Sequence, residues 1–278
     1  PPYISPYIRT VAGVLKEAGK NPEYVTIDQL RADPFKIANL RNAALVVMIA
    51  GTTVPGKYLA GTPATLTEIQ QLGASFSGRT KAFLGGPIAF GYSDEGGKKA
   101  VKAAAAGWTA VLEGDPAGAL ASWLSGGDAK GVLSYAEYDR FASLGADIIR
   151  QHPFYPNVML ELETAKGCAR SITGGCAFCT EPFYGLPRHR ELSGIFAETK
   201  ALYEAGARHF RLGRQPDLLT YGVSGAEFPK PDADKIEALF SGIRREAPEL
   251  KTLHIDNVNP GTIAHHEDAA RDALSAII

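Results

Sequence analysis

The sequence predicts an α/β protein in two parts, the first of them a doubly wound parallel sheet. Short apolar runs alternate with amphipathic segments in the first half, as strands alternate with helices in parallel sheets. The run at 43–50 (AALVVMIA) ends at Gly51, as a buried parallel strand would. Pro153 and Pro156 then separate this half from a second series of strands and helices.

The composition excludes several classes of protein. The 278 residues carry a net charge of −1, and 45% are hydrophobic and 21% charged, which is unlike a disordered tail, a collagen or a disulfide scaffold. The near-neutral charge argues against nucleic acid and anionic membranes as partners. No run of about 18 apolar residues and no signal peptide is visible, so we expect no membrane segment and a cytoplasmic location.

Local signals place the elements of the first half. Ile8, Val11 and Leu15 share one helix face. Thr62 and Pro63 suit the cap and first position of another helix. The predicted elements are helices at 8–15, 63–72, 98–106, 117–124 and 134–151, and strands at 24–27, 43–50, 81–84 and 108–112.

Glycine and small polar residues follow three of these strands. Ligands of doubly wound sheets bind beyond the carboxyl ends of the strands, and glycine allows close backbone approach. A tight turn explains any one loop equally well, but three loops on one edge predict a binding face. The residues concerned are Thr52, Thr53, Val54, Pro55 and nearby Tyr58; Gly85 and Gly86; and Glu113 and Gly114.

The three cysteines of the chain are Cys168, Cys176 and Cys179, in a C-x7-C-x2-C pattern after a predicted strand at 158–162. Their odd number argues against disulfides. A structural zinc site needs a fourth ligand, for which His189 is the candidate. Three thiolates also suffice for a four-iron cluster with one iron open to a substrate.

This cysteine loop resembles that of the radical S-adenosylmethionine superfamily. The last pair is Cys176-Ala177-Phe178-Cys179, with an aromatic residue before the final cysteine, while the first spacing is longer than is usual there. The resemblance implies that Cys168, Cys176 and Cys179 are catalytic and hold a 4Fe-4S cluster. The open iron would bind S-adenosylmethionine, and one electron would cleave it to a 5′-deoxyadenosyl radical.

The segments that follow fit a partial β/α barrel, whose active site gathers at the carboxyl ends of strands. Helices are predicted at 192–205 and 235–244, and strands at 209–212 and 252–255. By resemblance, S-adenosylmethionine is contacted by Phe178, Gly213, Arg214, Gln215 and Asn257. Gln215 stands where the superfamily has a glutamate, and Arg214 suits a carboxylate. A solvated arginine and a structural turn at Asn257 or Asn259 are the alternatives.

A doubly wound domain before such a barrel resembles the cobalamin-dependent, class B members. The segments 1–8, 14–19 and 112–124 are similar to their cobalamin domains. The resemblance implies that the loops with Thr52, Gly85 and Glu113 bind cobalamin. No histidine precedes His152, so none from this domain can ligate cobalt from below; Tyr58 and Tyr92 are candidate neighbours, or ordinary surface tyrosines.

We therefore expect a Rossmann-like cobalamin domain at 1–133, a linker at 134–156 and a partial radical S-adenosylmethionine barrel at 157–278. The first strand of the sheet and the C-terminal part of the barrel are expected to be missing, since Pro1-Pro2 leads straight into a helix and the chain stops at Ile278.

The resemblance, which is strongest to archaeal members, implies a methyltransferase acting on an unactivated sp3 carbon in an anaerobic cytoplasm. It implies an electron donor and a protein or peptide substrate. A candidate is a glutamine, or another residue such as an arginine, of methyl-coenzyme M reductase in methanogens, modified after translation. The alternatives are a radical enzyme that rearranges or methylthiolates its substrate, and a non-enzymatic cobalamin-binding or zinc-binding module.

Overall fold

The structure, a computed structural model, describes residues 2–52, 61–76, 78–89, 101, 104–176, 179 and 181–278. In these residues the fold is α/β with parallel sheets, as the sequence predicted. The chain divides into two compact units, unit 1 at 1–155 and unit 2 at 156–278. Every helix in the described part is too short or too polar to cross a bilayer.

Unit 1 is built around a parallel sheet of order β2-β3-β4, with β5 and β6 forming a separate parallel pair. Its strands are β1 (Tyr3–Ile4), β2 (Leu45–Ile49), β3 (Lys81–Gly85), β4 (Ala110–Val111), β5 (Glu113–Gly114) and β6 (Lys130–Gly131). Its helices are α1 (Pro6–Glu17), α2 (Ile27–Ala32), α3 (Phe35–Asn42), α4 (Leu66–Ser75), α5 (Pro116–Leu124) and α6 (Tyr135–Leu144), with 3-10 turns at Pro87–Ala89 and Ala146–Gln151.

Helices cover both faces of this sheet. Phe83 of β3 belongs to a core with Val14 of α1 and Phe141 of α6. Its neighbour Leu84 belongs to another core, with Leu72 of α4. Consecutive strand residues point to opposite faces, so an apolar run such as β3 is buried on both.

Two predictions at the start of the chain are wrong. The two-residue strand β1 precedes α1, where no strand was expected. The strand predicted at 24–27 does not form, because Thr26 caps α2. Its hydroxyl accepts from the Gln29 N–H and the Gln29 side chain returns a bond to the Thr26 N–H, which is a capping box. The helix predicted at 98–106 falls largely outside the described residues.

The expected linker at 134–156 contributes a helix to unit 1. Its helix α6 buries Tyr138 and Phe141. A Cβ on Gly13 of α1 would lie 2.1 Å from the Phe141 carbonyl oxygen, and one on Gly145 would lie 2.0 Å from that of Arg9. The two helices therefore pack with their backbones in contact, which only glycine permits at these positions.

A buried histidine gives unit 1 a testable dependence on pH. His152 lies against the rings of Tyr24 and Phe154, and its Nδ1 accepts from the Phe154 N–H at 3.1 Å. Burial lowers the pKa of His152 from 6.5 to about 4. The stability that depends on neutral imidazole is therefore present above about pH 6.5 and is lost as the pH falls towards 4.

We expect His152→Asn to remove this dependence, because its amide oxygen accepts the same bond without titrating. Between pH 7 and pH 5 the parent protein should lose about 1–2 kcal/mol more unfolding free energy than the variant. Urea unfolding at the two pH values measures the difference. Equal losses in both proteins would show that His152 is not the titrating group.

Unit 2 is built on the parallel strands β7, β10 and β11, in that order, with β8 and β9 as an antiparallel pair. Its strands are β7 (Met159–Glu163), β8 (Ala165–Lys166), β9 (Arg188–His189), β10 (His209–Gly213) and β11 (Thr252–Ile255). Its helices are α7 (Leu192–Glu204), α8 (Ala233–Glu246), α9 (Pro260–His265) and α10 (Glu267–Ser275), with 3-10 turns at Ala169–Thr173, Glu181–Tyr184 and Leu218–Thr220. The predicted strand at 252–255 is confirmed to the residue.

Candidate functional site

The carboxyl ends of β7, β10 and β11 bring together most of the residues that the sequence singled out in unit 2. β7 leads into β8 and then into the cysteine loop, which we define as residues 167–187. β10 leads into Arg214 and Gln215, and β11 into Asn257. An open pocket at this edge is lined by residues that include Thr164, Cys168, Arg170, His189, Gln215 and Asp217.

The base of the cysteine loop is closed by backbone contacts. β8 and β9 pair on either side of it, with Lys166 opposite Arg188. Just inside, the Cys168 N–H donates to the Gly185 carbonyl at 2.9 Å. Gly167 has a φ of 89°, and a Cβ there would lie 2.6 Å from that carbonyl oxygen. Glycine is therefore required one residue before the first cysteine.

Glu181 joins the two ends of the cysteine segment. Its carboxylate accepts from the Gly167 N–H at 3.2 Å. Its own N–H bonds the Cys179 sulfur. Burial raises the pKa of Glu181, while the charge of Arg214 opposes this shift. Glu181 thus holds Gly167 through its side chain and the Cys179 sulfur through its backbone N–H.

The three cysteines are free thiols on the described part of this loop. Cys168 is buried, and Cys176 and Cys179 are half-buried. Burial raises the pKa of the Cys168 thiol, and the neighbouring Cys179 and Cys176 raise it further. The three sulfurs are therefore close enough to affect one another's ionisation.

Each cysteine sulfur also has an N–H donor. The backbone N–H of Arg170 bonds the Cys168 sulfur. The Arg170 guanidinium Nη1 lies 3.1 Å from the Cys176 Sγ. The Glu181 N–H completes the set at Cys179. Such N–H bonds stabilise negative charge on sulfur, as at thiolates that ligate metal.

This donor set fits the chemistry of an iron–sulfur cluster, though the thiols are not already arranged around a metal. Among the residues that the structure describes, no three His, Cys, Asp or Glu side chains form a metal-binding group. Thiols must lose their protons to bind metal, so binding would release protons and draw the sulfurs together. Phe178, between two of the cysteines, lies outside the described residues.

Arg214 is already paired with carboxylates of the protein. Its Nε lies 2.9 Å from Glu163 Oε2, and its Nη2 lies 4.0 Å from Glu181. Glu163 also pairs with Lys166 at 3.6 Å, and both side chains are buried. Arg214 has a φ of 61°, which is uncommon outside glycine and frequent at functional sites. The alternative of a solvated Arg214 is not observed, since its side chain is only 11% exposed.

Gln215 and Asn257 form a bonded bridge between strand ends. The Gln215 amide accepts from the Thr164 hydroxyl at 3.2 Å and donates to the Leu212 carbonyl at 2.9 Å. The Asn257 amide donates to the Gln215 carbonyl at 3.2 Å. A Cβ at Gly213 would lie 1.9 Å from Glu161 Oε1, so a larger residue there would require the Glu161 side chain to move. These residues order the pocket edge whether or not they touch a ligand.

The candidate cobalamin residues of unit 1 are only partly described. Thr53, Val54, Pro55, Tyr58 and Tyr92 lie outside the described residues. The Thr52 hydroxyl is buried at the carboxyl end of β2 and has no hydrogen-bond partner within the described ranges. Glu113 pairs with Lys130 at 3.0 Å on the surface.

The glycines at these strand ends have structural reasons of their own. A Cβ on Gly51 would lie 2.5 Å from the Ile88 nitrogen, and one on Gly86 would lie 2.7 Å from the Ala50 oxygen. One on Gly114 would lie 2.2 Å from the Gly131 oxygen, across the β5–β6 pair. A Cβ on Gly85 would lie 3.2 Å from the Leu112 side chain, which is tighter than ordinary van der Waals contact. The sequence analysis attributed these glycines to the close approach of a ligand. In the structure they allow close approach between segments of the protein itself.

Sequence reasoning missed several residues that shape this site. They are Arg170, Glu181, Asp217 and the buried pair Arg190–Glu198. Asp217 accepts from the Thr262 hydroxyl at 2.5 Å beside the pocket, and burial raises its pKa. The sequence did offer one signal. Glu163 is a charged residue in the mostly apolar strand β7, which indicates that it has a buried ionic partner.

Comparison with known proteins finds archaeal relatives. An uncharacterized protein of Methanocaldococcus jannaschii is 39% identical over 290 residues, covering 100% of this chain and 53% of that protein. One from Archaeoglobus fulgidus is 36% identical over 278 residues, covering 100% of this chain and 49% of that protein. One from Methanopyrus kandleri is 31% identical over 93 residues, covering 33% and 18%. The chain thus spans about half the length of the first two relatives. No protein-family model matches it.

Proposed function

We propose that the chain belongs to a cobalamin-dependent radical S-adenosylmethionine C-methyltransferase, with unit 1 as a Rossmann-like cobalamin domain and unit 2 as a partial barrel. One observation carries the proposal. Three free thiols share a loop at the carboxyl ends of parallel strands, and each sulfur has an N–H donor. This donor set suits a four-iron cluster with one iron left open.

In this proposal Cys168, Cys176 and Cys179 hold the cluster. When bound, the cluster supplies the electron that cleaves S-adenosylmethionine, and cobalamin carries the methyl group. Arg214 and Gln215 face the same strand-end region but are committed to contacts within the protein. Arg214 would hold a ligand carboxylate only if that carboxylate replaced Glu163 as its ion-pair partner.

The cobalamin part rests on the carboxyl edge of the sheet in unit 1. The buried Thr52 hydroxyl, unpartnered within the described ranges, offers a donor at the end of β2. Since the first histidine of the sequence is His152, cobalt would have no histidine ligand from 1–133. Cobalamin, when bound, would supply the methyl group, and unit 1 would hold it without a histidine ligand from 1–133.

The proposed substrate is an unactivated sp3 carbon of a protein or peptide. A glutamine or another residue of methyl-coenzyme M reductase is the candidate that the sequence resemblance supplies. The proposal includes an electron donor and an anaerobic, cytoplasmic setting. The first two relatives are about twice as long as this chain. Substrate choice is therefore proposed for the whole protein and not for these residues alone.

The test is the metal content of the full chain, purified without oxygen and reconstituted with iron and sulfide. We expect about four irons and four sulfides per chain. Addition of dithionite and S-adenosylmethionine should then give 5′-deoxyadenosine, and added cobalamin should co-purify with the chain. Stoichiometric zinc without sulfide would contradict the proposal.

A zinc site with His189 as its fourth ligand is the second candidate. The His189 Nε2–H donates to the Val223 carbonyl at 2.9 Å, which leaves Nδ1 as a lone-pair nitrogen. This Nδ1 is buried and has no partner among the described residues. Zinc-ligating histidines commonly bond a carbonyl through their other nitrogen. His189→Gln would lower the metal content if zinc is bound, and would leave iron unchanged if a three-cysteine cluster is bound.

A further inference from the structure

Arg170 lies inside the long spacing between the first two cysteines and contacts the second. Its Nη1 donates to Cys176 Sγ at 3.1 Å. The turn that follows brings the chain back, since the Gly175 N–H bonds the Arg170 carbonyl at 2.8 Å. Gly175 has a φ of 73°, a conformation that favours glycine. The extra residues of this spacing therefore place an arginine against the sulfur.

The guanidinium is oriented from outside the loop. Its Nε lies 3.4 Å from Glu227 Oε1. The Thr173 hydroxyl lies 3.1 Å from the same oxygen and 3.1 Å from the Arg170 carbonyl. Glu227 thus holds the Nε end of the guanidinium, Thr173 holds the Glu227 carboxylate in place, and Nη1 faces the sulfur. Arg170 and Glu227 are both about one-third exposed, so the contact is not a packing requirement of the core.

A guanidinium so placed favours negative charge on sulfur. Arginine is permanently charged, and its donors are fixed in a planar fork. A reduced iron–sulfur cluster carries one more negative charge than the oxidised one. Hydrogen bonds to the sulfurs therefore stabilise the reduced form and raise the reduction potential.

We propose that Arg170, oriented by Glu227, is a positioning residue that sets the reduction potential of the cluster through the Cys176 sulfur. The inference rests on the proposed function, since it requires a cluster on the three cysteines. It also gives a reason for the length of the C-x7-C spacing. The inference is tested by measuring the reduction potential of the cluster, which requires no knowledge of the substrate.

The experiment is a redox titration of the reconstituted full chain, followed by electron paramagnetic resonance. Arg170→Met removes the charge and the donor but keeps an unbranched side chain. We expect its cluster to be harder to reduce, with a tenfold change in the one-electron equilibrium, or about 59 mV. Arg170→Lys keeps a charged donor and should lie closer to the parent.

Glu227→Gln separates positioning from simple charge. Removal of a negative charge by itself raises the potential of a nearby cluster. Loss of the orientation of Arg170 lowers it, and the proposal predicts the lower value. Arg271→Met makes the same charge change as Arg170→Met at an exposed pair on α10 and should leave the potential unchanged.

The two possible failures are distinguishable. If the parent chain assembles a cluster and Arg170→Met has the same potential, the inference is wrong while the proposed function stands. If the parent chain assembles no cluster, both are wrong. If Arg170→Met fails to assemble one, Glu227→Gln still decides the question, since a potential equal to or higher than that of the parent would overturn the inference.

Discussion

Replacement of Cys168 by alanine should reduce the bound iron from about four atoms per chain to nearly none and abolish formation of 5′-deoxyadenosine. Three thiolates are the minimum for a cluster with an open iron. The sequence contains three cysteines in all, so no other thiol can take the place of a lost one. Cys176→Ala and Cys179→Ala should give the same result.

The measurement is iron and acid-labile sulfide after anaerobic reconstitution, with 5′-deoxyadenosine quantified by chromatography. Ser171→Ala is the matched control, because it lies on the same loop and its side chain bonds no cysteine among the residues that the structure describes. Circular dichroism checks the fold of each variant. A Cys168→Ala chain that keeps its iron and its 5′-deoxyadenosine would refute the proposed cluster.

The sequence predicted the strands of unit 2 well, because their signals are local. Thr252–Ile255 is bounded by a loop before it and by polar residues after it, and it forms as predicted. The strand predicted at 24–27 was wrong. The prediction followed the strand propensity of a short apolar run, whereas in the structure Thr26 and Gln29 form a capping box that begins a helix. The signal for this capping box was present in the sequence as T-x-x-Q.

The partners of charged side chains could not be predicted in the same way. Arg214 meets Glu163 because β7 and β10 are neighbours in the sheet, with Glu163 opposite Gly213. Pairing of strands from distant parts of the chain fixes this contact, and no local pattern encodes it. The same holds for Arg170 and Glu227. The cysteine spacing predicted the thiols, while the donors to their sulfurs emerged only in three dimensions.

Glu198→Ala should cost about 3–5 kcal/mol of unfolding free energy, because it leaves a buried guanidinium without its carboxylate. Arg190 Nη1 donates to Glu198 Oε2 at 2.6 Å, and both side chains are fully buried. Arg190 also bonds the Glu163 and Gly194 carbonyls at 3.2 and 3.0 Å. It therefore joins the end of the cysteine loop to β7 and α7.

Urea unfolding at pH 7 measures this cost. Glu267→Ala is the matched control, because it breaks an exposed i,i+4 pair with Arg271 and should cost only about 0.5 kcal/mol. The double variant Arg190→Met with Glu198→Leu removes both buried charges and should be more stable than Glu198→Ala, since buried pairs can be replaced by apolar residues. If Glu198→Ala were no more costly than Glu267→Ala, the buried pair would not hold the loop. The cysteine loop would then depend on its backbone bonds and on Glu181 alone.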